Sequence, residues 1–273
     1  MNDLARGSLL APATLCLAIL FLALSSLVAA SVSVPSGPWY SHYAKFLGDN
    51  LYLAYVTRSL RVALYTTVLA VIIGYAIAYV MGHVSAATRR LIVMVLILQF
   101  FSVNITRIYS IILLLGNNGL MNRSLMAVGA IDAPIRLLYH EFGVVIGLVN
   151  AALPFAVFTI SGVLARIPPS LREAAQTLGA WRGQTFWRVV FPLSLPGVGA
   201  SVTIVFLYSF GAFATPLLLG GGFVDMISVF SYEQAINFSN YGFAAAGAVV
   251  SSLLALVLVG VFTKLLSGRT RFA

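Results

Sequence analysis

What this chain has little of decides its solvent. Only 8% of its 273 residues are charged, with seven acids against sixteen arginines and lysines, whereas a soluble domain is about one-quarter charged. An ordinary water-soluble fold is excluded. The single cysteine, Cys16, offers neither a disulfide framework nor a thiolate metal site. His42, His83 and His140 are the only histidines and lie on separate segments, so no clustered metal site or catalytic set is visible. A Gly-x-x-x-x-Gly-Lys-Ser/Thr pattern is missing, and Lys45 and Lys264 are the only lysines; the chain has no P-loop for ATP. None of the acids falls deep in an apolar run, where an ion-coupled transporter working alone would carry its ion sites.

What is abundant is apolar surface. Sixty per cent of the residues are hydrophobic, and six runs, 9–30, 62–81, 91–115, 142–165, 198–219 and 243–266, approach the roughly 20 residues that a helix needs to cross about 30 Å of hydrocarbon. The expected fold is all-α, a polytopic membrane protein with six transmembrane helices. Barrel strands would be half as long and would alternate. Pro154 and Pro216 fall in the fourth and fifth runs and mark bends. The expected division is 1–57, a first helix with its following segment; 58–266, a five-helix core; and a short tail, 267–273.

The net charge of +9 follows the membrane rather than a nucleic acid. With the N-terminus inside, the inner segments carry Arg6, Arg89, Arg90, Arg166, Arg172, Arg182, Arg188, Lys264, Arg269 and Arg271. The outer segments carry Lys45, Arg58, Arg61, Arg123 and Arg136. This is the positive-inside bias, and it places both termini in the cytoplasm. The first run is about 22 residues long, beyond the usual 7–15 of a signal peptide core, and is expected to be retained.

Between the fourth and fifth runs, residues 170–192 form a polar interruption with the grammar of a helical hairpin. Pro168-Pro169 stops what precedes it. Ser170 and Glu173 have capping-box spacing, Leu171, Ala174, Ala175 and Leu178 share one helical face, and Gly179 stands where a left-handed stop belongs. A second short helix is expected to run from Ala180 until Pro192 ends it.

Glu173-Ala174-Ala175, then Gly179, then Val189-Val190-Phe191-Pro192 resembles the Glu-Ala-Ala coupling loop of the permease subunit in binding-protein-dependent ABC importers. Arg107-Ile108-Tyr109-Ser110, the run 115–122, and Gly211-Ala212-Phe213-Ala214-Thr215-Pro216 resemble segments of spermidine/putrescine-type permeases, although the stretch 99–104 lacks the proline of that pattern. The resemblance implies a coupling loop over 166–196 whose contacts to an ATPase dimer include Arg172, Glu173, Ala174, Ala175, Leu178, Gly179, Arg182 and Pro192. It further implies a second permease subunit, identical or homologous, a periplasmic solute-binding protein, and residence in the bacterial inner membrane. ATP and Mg would belong to the ATPase, with no cofactor on this chain. Polyamine is the solute implied first; opines, phosphonates and other small polar solutes remain open, as does an ion-coupled secondary transporter.

Arg107 is the one charge well inside a run. On a straight helix it would lie roughly 24 Å beyond Leu91 at 1.5 Å per residue, near the outer interface, where a structural or gating role is expected. Asn104 and Tyr109 are candidates to share its surroundings, and Phe213, Thr215 and Pro216 are further candidates for the pathway or its gate. Asp225 and Glu233, in the last outer segment, would attract a cationic solute, contact the binding protein, or be solvated loop acids.

Overall fold

The structure, a computed structural model, describes residues 3–34 and 37–267. The expected tail from residue 268 onward, with Arg269 and Arg271, lies outside the described residues, as do Pro35 and the side chain of Arg6. Every regular element among the described residues is helical. Five helices are long and apolar enough to cross a membrane, and a sixth crossing exists only if two bent helices count as one.

The chain forms two compact units, one of Met1–Val56 with Ile227–Leu254, the other of Thr57–Met226 with Ala255–Ala273. The first contains α1 (Asp3–Val32), α2 (Ser41–Gly48), the start of α3 (Asn50–Met81), α12 (Ile227–Ile236) and the first part of α13 (Tyr241–Ser267). Residues 31–58, the segment expected to follow the first helix, are mostly helical. Asp49 accepts a hydrogen bond from the Leu51 amide at 2.9 Å and opens α3, whose 32 residues span about 48 Å, longer than the hydrocarbon requires. Phe46, fully buried, packs in an aromatic cluster with Tyr52, Phe230 and Phe243. Phe46 is thus the core aromatic of this region and Tyr52 is half-buried beside it, while Trp39 and Tyr40 stay exposed.

The second unit is organised around α7 (Glu141–Leu164), the most deeply buried of the long helices. Its buried residues fall in three successive layers. Val144, Val145 and Leu148 meet Val62, Ile108, Ile111 and Leu219; Ala152 and Ala156 meet Ala70 and Val205; Val157, Ile160 and Leu164 meet Ala78, Met81 and Val190. In the middle layer the approach of α3 is close. A Cβ placed on Gly74 would stand 2.7 Å from that of Ala156, so only glycine fits there. Membrane helices associate through such small-residue contacts because lipid leaves little hydrophobic drive between them.

Three expectations about the long helices are corrected. The run 91–115 is not one helix: α4 (Ala86–Phe101) and α5 (Asn104–Leu115) are separated by extended Ser102 and Val103, and the chain bends by 105° between Ala86–Phe101 and Asn104–Ala127. The straight-helix position of Arg107 therefore fails. The fifth span begins and ends earlier than 198–219. It runs as α10 (Phe191–Phe210), stops at Gly211, and leaves Thr215 and Pro216 in a separate short helix, α11 (Ala214–Gly220). Pro192 does not end a helix but stands at the start of α10, directly after a π-helical turn.

Candidate functional site

The polar interruption is a folded hairpin. Its first arm is α8 (Pro169–Thr177). The expected capping box is not formed: α8 begins at Pro169 with Pro168 as N-cap and no side-chain cap bond. The two prolines start the helix early, so Ser170 already lies inside the first turn. The stop, by contrast, is the expected one. Gly179 has φ +84°, a conformation open to glycine and costly for other residues. The Ala180 amide bonds Ala175 O at 3.0 Å and the Gly179 amide bonds Gln176 O at 2.9 Å, the paired bonds of a Schellman ending.

The second arm starts with α9 (Arg182–Thr185), where the Trp181 amide donates to Gln184 Oε1 at 3.2 Å. It passes directly through a π-helical turn, Phe186–Val190, into α10. In that turn the Phe191 amide reaches back to Phe186 O, a wider register that takes up one residue ahead of Pro192, whose ring has no N–H to give. Phe186 packs on Tyr75 and Tyr79 of α3, and Val190 is buried in the layer around Ile160 and Leu164. The hairpin is thus rooted in the core rather than hung from a linker.

Its outer face is bare. No residue of α8 is buried. Leu171, Glu173, Ala174 and Arg182 are exposed, Ala175 is half-buried against the hairpin, and Leu178 is 89% exposed. Arg172 turns the other way, its Nη1 at 3.4 Å from His83 Nε2 in the turn that follows α3.

A second polar cluster lies at the α4–α5 elbow, against the apolar span α7. Pro154 sits inside the continuous helix α7, so the Asn150 carbonyl four residues earlier lacks its helical N–H partner. Gln99 Nε2 donates to that carbonyl. The Gln99 carbonyl, released by the break, accepts from Arg107 Nη1 at 3.3 Å, and Arg107 Nη2 donates to Asn104 Oδ1. Asn150 O and Gln99 O, one carbonyl freed by Pro154 and one by the elbow, thereby each gain a side-chain donor, as nonhelical backbone within a bilayer requires. Arg107 makes no ion pair among the described residues. Beside the elbow, Phe100 stacks edge-on with Phe155 at 5.2 Å, and Phe155 lies 5.3 Å from Tyr208.

Of the sequence-derived pathway residues, the structure joins Arg107 and Asn104. Tyr109 points away and is exposed; Thr215 and Pro216 are buried, with Thr215 close to Gly147 of α7, and Phe213 is half-buried before α11. Asp225 is half-buried between Val224 and Met226; Glu233 lies on α12. Sequence reading missed Gln99 and Asn150. The usable signal was Asn150 four residues before Pro154, a spacing that frees the carbonyl of a residue already polar within an apolar run.

At the Glu141 end of α7, a cleft of about 1270 Å³ is lined by Arg58, Arg136, His140, Glu141 and Phe223, among others. Glu141 pairs with Arg61 and, at 3.8 Å, with Arg58, while Arg136 forms no ion pair among the described residues. The segment before Arg136 is stapled by Asn122 of α6 (Leu120–Ala127), fully buried, which donates to Gly116 O and Ile135 O and accepts from the Ile135 amide at 3.0 Å. Asn122→Ala would leave that amide without an acceptor. Thermal unfolding in detergent is expected to show a loss of about 1–3 kcal/mol; an unchanged midpoint would remove the staple's importance.

These features coincide with a known family. Residues 67–272 match the family model of the binding-protein-dependent transport system inner membrane component. The chain belongs to that family. It is the membrane permease subunit of an ABC importer, a multi-pass protein of a bacterial inner-membrane family. It is 33% identical over 213 residues to the spermidine/putrescine transport system permease protein PotB of Salmonella typhimurium (strain SL1344), covering 78% of this chain and 74% of that one. Against the PotB protein of Escherichia coli (strain K12) it is 32% identical over 223 residues, 82% of this chain and 81% of the relative. The trehalose transport system permease protein SugB of Mycobacterium tuberculosis (strain CDC 1551 / Oshkosh) is 26% identical over 85% of this chain and 80% of its own. The fold also matches a chain of a bacterial ABC transporter involved in import of the acidic polysaccharide alginate, with TM-score 0.82, 18% identity and 98% of each chain covered.

Proposed function

We propose that this permease imports a small polyamine and is driven through its hairpin by a separate ATPase dimer. The single observation carrying the coupling role is the uncovered face of α8. A Schellman-stopped helix exposing Leu178 at 89%, joined at Gly179 to a second arm that runs on into α10, suits an amphipathic helix lying in a partner's groove. In this reading Leu171, Glu173, Ala174, Leu178 and Arg182 face the ATPase, and Arg172, Ala175, Gly179 and Pro192 shape the knob. α8 is cytoplasmic, the termini are on the same side, and ATP and Mg are held by the ATPase. α10 packs extensively on α7, so displacement of the knob reaches the Pro154 region without a loose joint.

The opposite end would meet the solute-binding protein. Its cleft holds Arg58 and Arg136 against the single carboxylate Glu141, which Arg61 also pairs, an excess of positive charge that suits acidic groups of a docking partner better than a cationic solute. Polyamine as cargo rests on the identity to the PotB proteins over about four-fifths of the chain. A second permease subunit would complete the pathway and cover the exposed apolar faces.

The test is uptake into proteoliposomes holding this chain with its partner subunits. Radiolabelled spermidine is expected to accumulate only with ATP and binding protein, and trehalose and sulfate are not. Accumulation driven by an ion gradient in liposomes holding this chain alone would overturn the coupling, and transport of trehalose in place of spermidine would overturn the cargo.

A further inference from the structure

We propose that the α4–α5 elbow is a subsite for a protonated amine, occupied in this state by the protein's own Arg107. The inference rests on the polyamine reading and gives it a location.

Two main-chain carbonyls at the elbow have lost their helical donors for independent reasons. Asn150 O is released by Pro154 four residues later, and Gln99 O by the break at Ser102-Val103. Both are now covered by side chains, the first by Gln99 Nε2 and the second by Arg107 Nη1. Asn104 Oδ1 is a second acceptor for the same guanidinium. Every group that holds Arg107 is therefore a neutral oxygen, and the last carbonyls of α4 bring the negative end of its dipole to the same place. Such an arrangement selects a cation carrying N–H donors. Phe100, next to Gln99, meets Phe155 edge-on, and Phe155 meets Tyr208 at a tilt, aromatic rings to which an alkylammonium is attracted.

An ammonium entering while Arg107 swings out exchanges one cation for another. The local charge is unchanged, and neither carbonyl is left without a donor. A neutral sugar or an anion offers no such exchange. Asn150 is exposed on α7 and Gln99 is half-buried, so the acceptors border open space rather than the packed core. Gln99 and Arg107 act in this scheme as an internal substitute for the cargo that keeps the elbow satisfied between transport events.

The chain alone in detergent tests this without ATP or partners, so its outcome is separate from whether the assembled importer moves spermidine. In the wild type, the melting temperature is expected not to respond to putrescine or spermidine, because Arg107 fills the subsite. Arg107→Ala is expected to melt lower and to recover stepwise with millimolar putrescine or spermidine. Hexamethonium, which carries the charge but no N–H, is expected to give no recovery. Adding Pro154→Ala supplies an amide to Asn150 O and should weaken the response to amines. Arg107→Gln serves if the alanine variant does not fold, with the same dependence on N–H-bearing cations. Equal recovery with hexamethonium, or no response of either variant to putrescine and spermidine, would overturn the subsite.

Discussion

Leu178→Asp should abolish co-purification of the ATPase while leaving the membrane subunit folded. The side chain is 89% exposed and stands at the C-cap of α8, so aspartate there removes no buried contact and breaks no helix. In a groove lined for an apolar partner, however, the new carboxylate must be desolvated without a counter-ion, and truncating or reversing one central anchor of an interface commonly costs 2 kcal/mol or more. A loss of about thirtyfold or more in ATPase retention is expected, together with an unchanged melting temperature of the isolated chain. Retention equal to wild type would remove α8 from the coupling surface. Gly179→Val acts by another route. It forces a β-branched residue to φ +84° and is expected to lower both retention and local protection of residues 175–180 from hydrogen exchange, because the stop itself is lost.

Gly74→Leu should prevent accumulation of folded protein. The nearest neighbours of an added Cβ are the Cβ of Ala156 at 2.7 Å and its carbonyl carbon at 3.4 Å. Backbone cannot rotate out of the way as a side chain can, so α3 and α7 must separate and open the middle layer of Ala70, Ala152 and Val205. Overpacking costs about 1–3 kcal/mol where the surroundings adjust, and more where they are backbone. Gly162→Leu, on the same helix α7 but with nothing within 4 Å of an added Cβ, is the matched control and should express as wild type. Size-exclusion profiles of the two variants make the comparison; equal profiles would show that the α3–α7 contact is not limiting.

The sequence carried the six apolar runs and the Gly179 stop because both rest on local physics. Hydrocarbon thickness fixes run length, and a positive φ selects glycine. The elbow at residues 102–103 was not legible. Ser102 and Val103 contain no proline or glycine to announce a break, and the groups that compensate it are long-range: Asn150 and Gln99 are 51 residues apart. Hydropathy reads 91–115 as continuous because both helices are apolar. The missing capping box has a different cause. Ser170 and Glu173 have the right spacing, but Pro169 is a stronger helix starter and shifts the first turn beneath them. Pro192 misled in the opposite sense, because a π turn ahead of it absorbs the residue that an α register could not place. At the site, the charged candidates Arg107 and Arg172 were visible as residues. Their partners, a released carbonyl and His83, depend on packing that no local pattern encodes.

The π turn at Phe186–Val190 also limits what can be exchanged between relatives. No glycine or irregular residue separates it from α10, so the second arm of the handle runs into the rod beneath it without a joint. A chimaera that swaps only residues 166–185 would twist the transplanted α8 relative to its host rod by whatever register the donor used. Loop grafts meant to change the ATPase a permease accepts must therefore carry the wide turn and the opening of α10 with them.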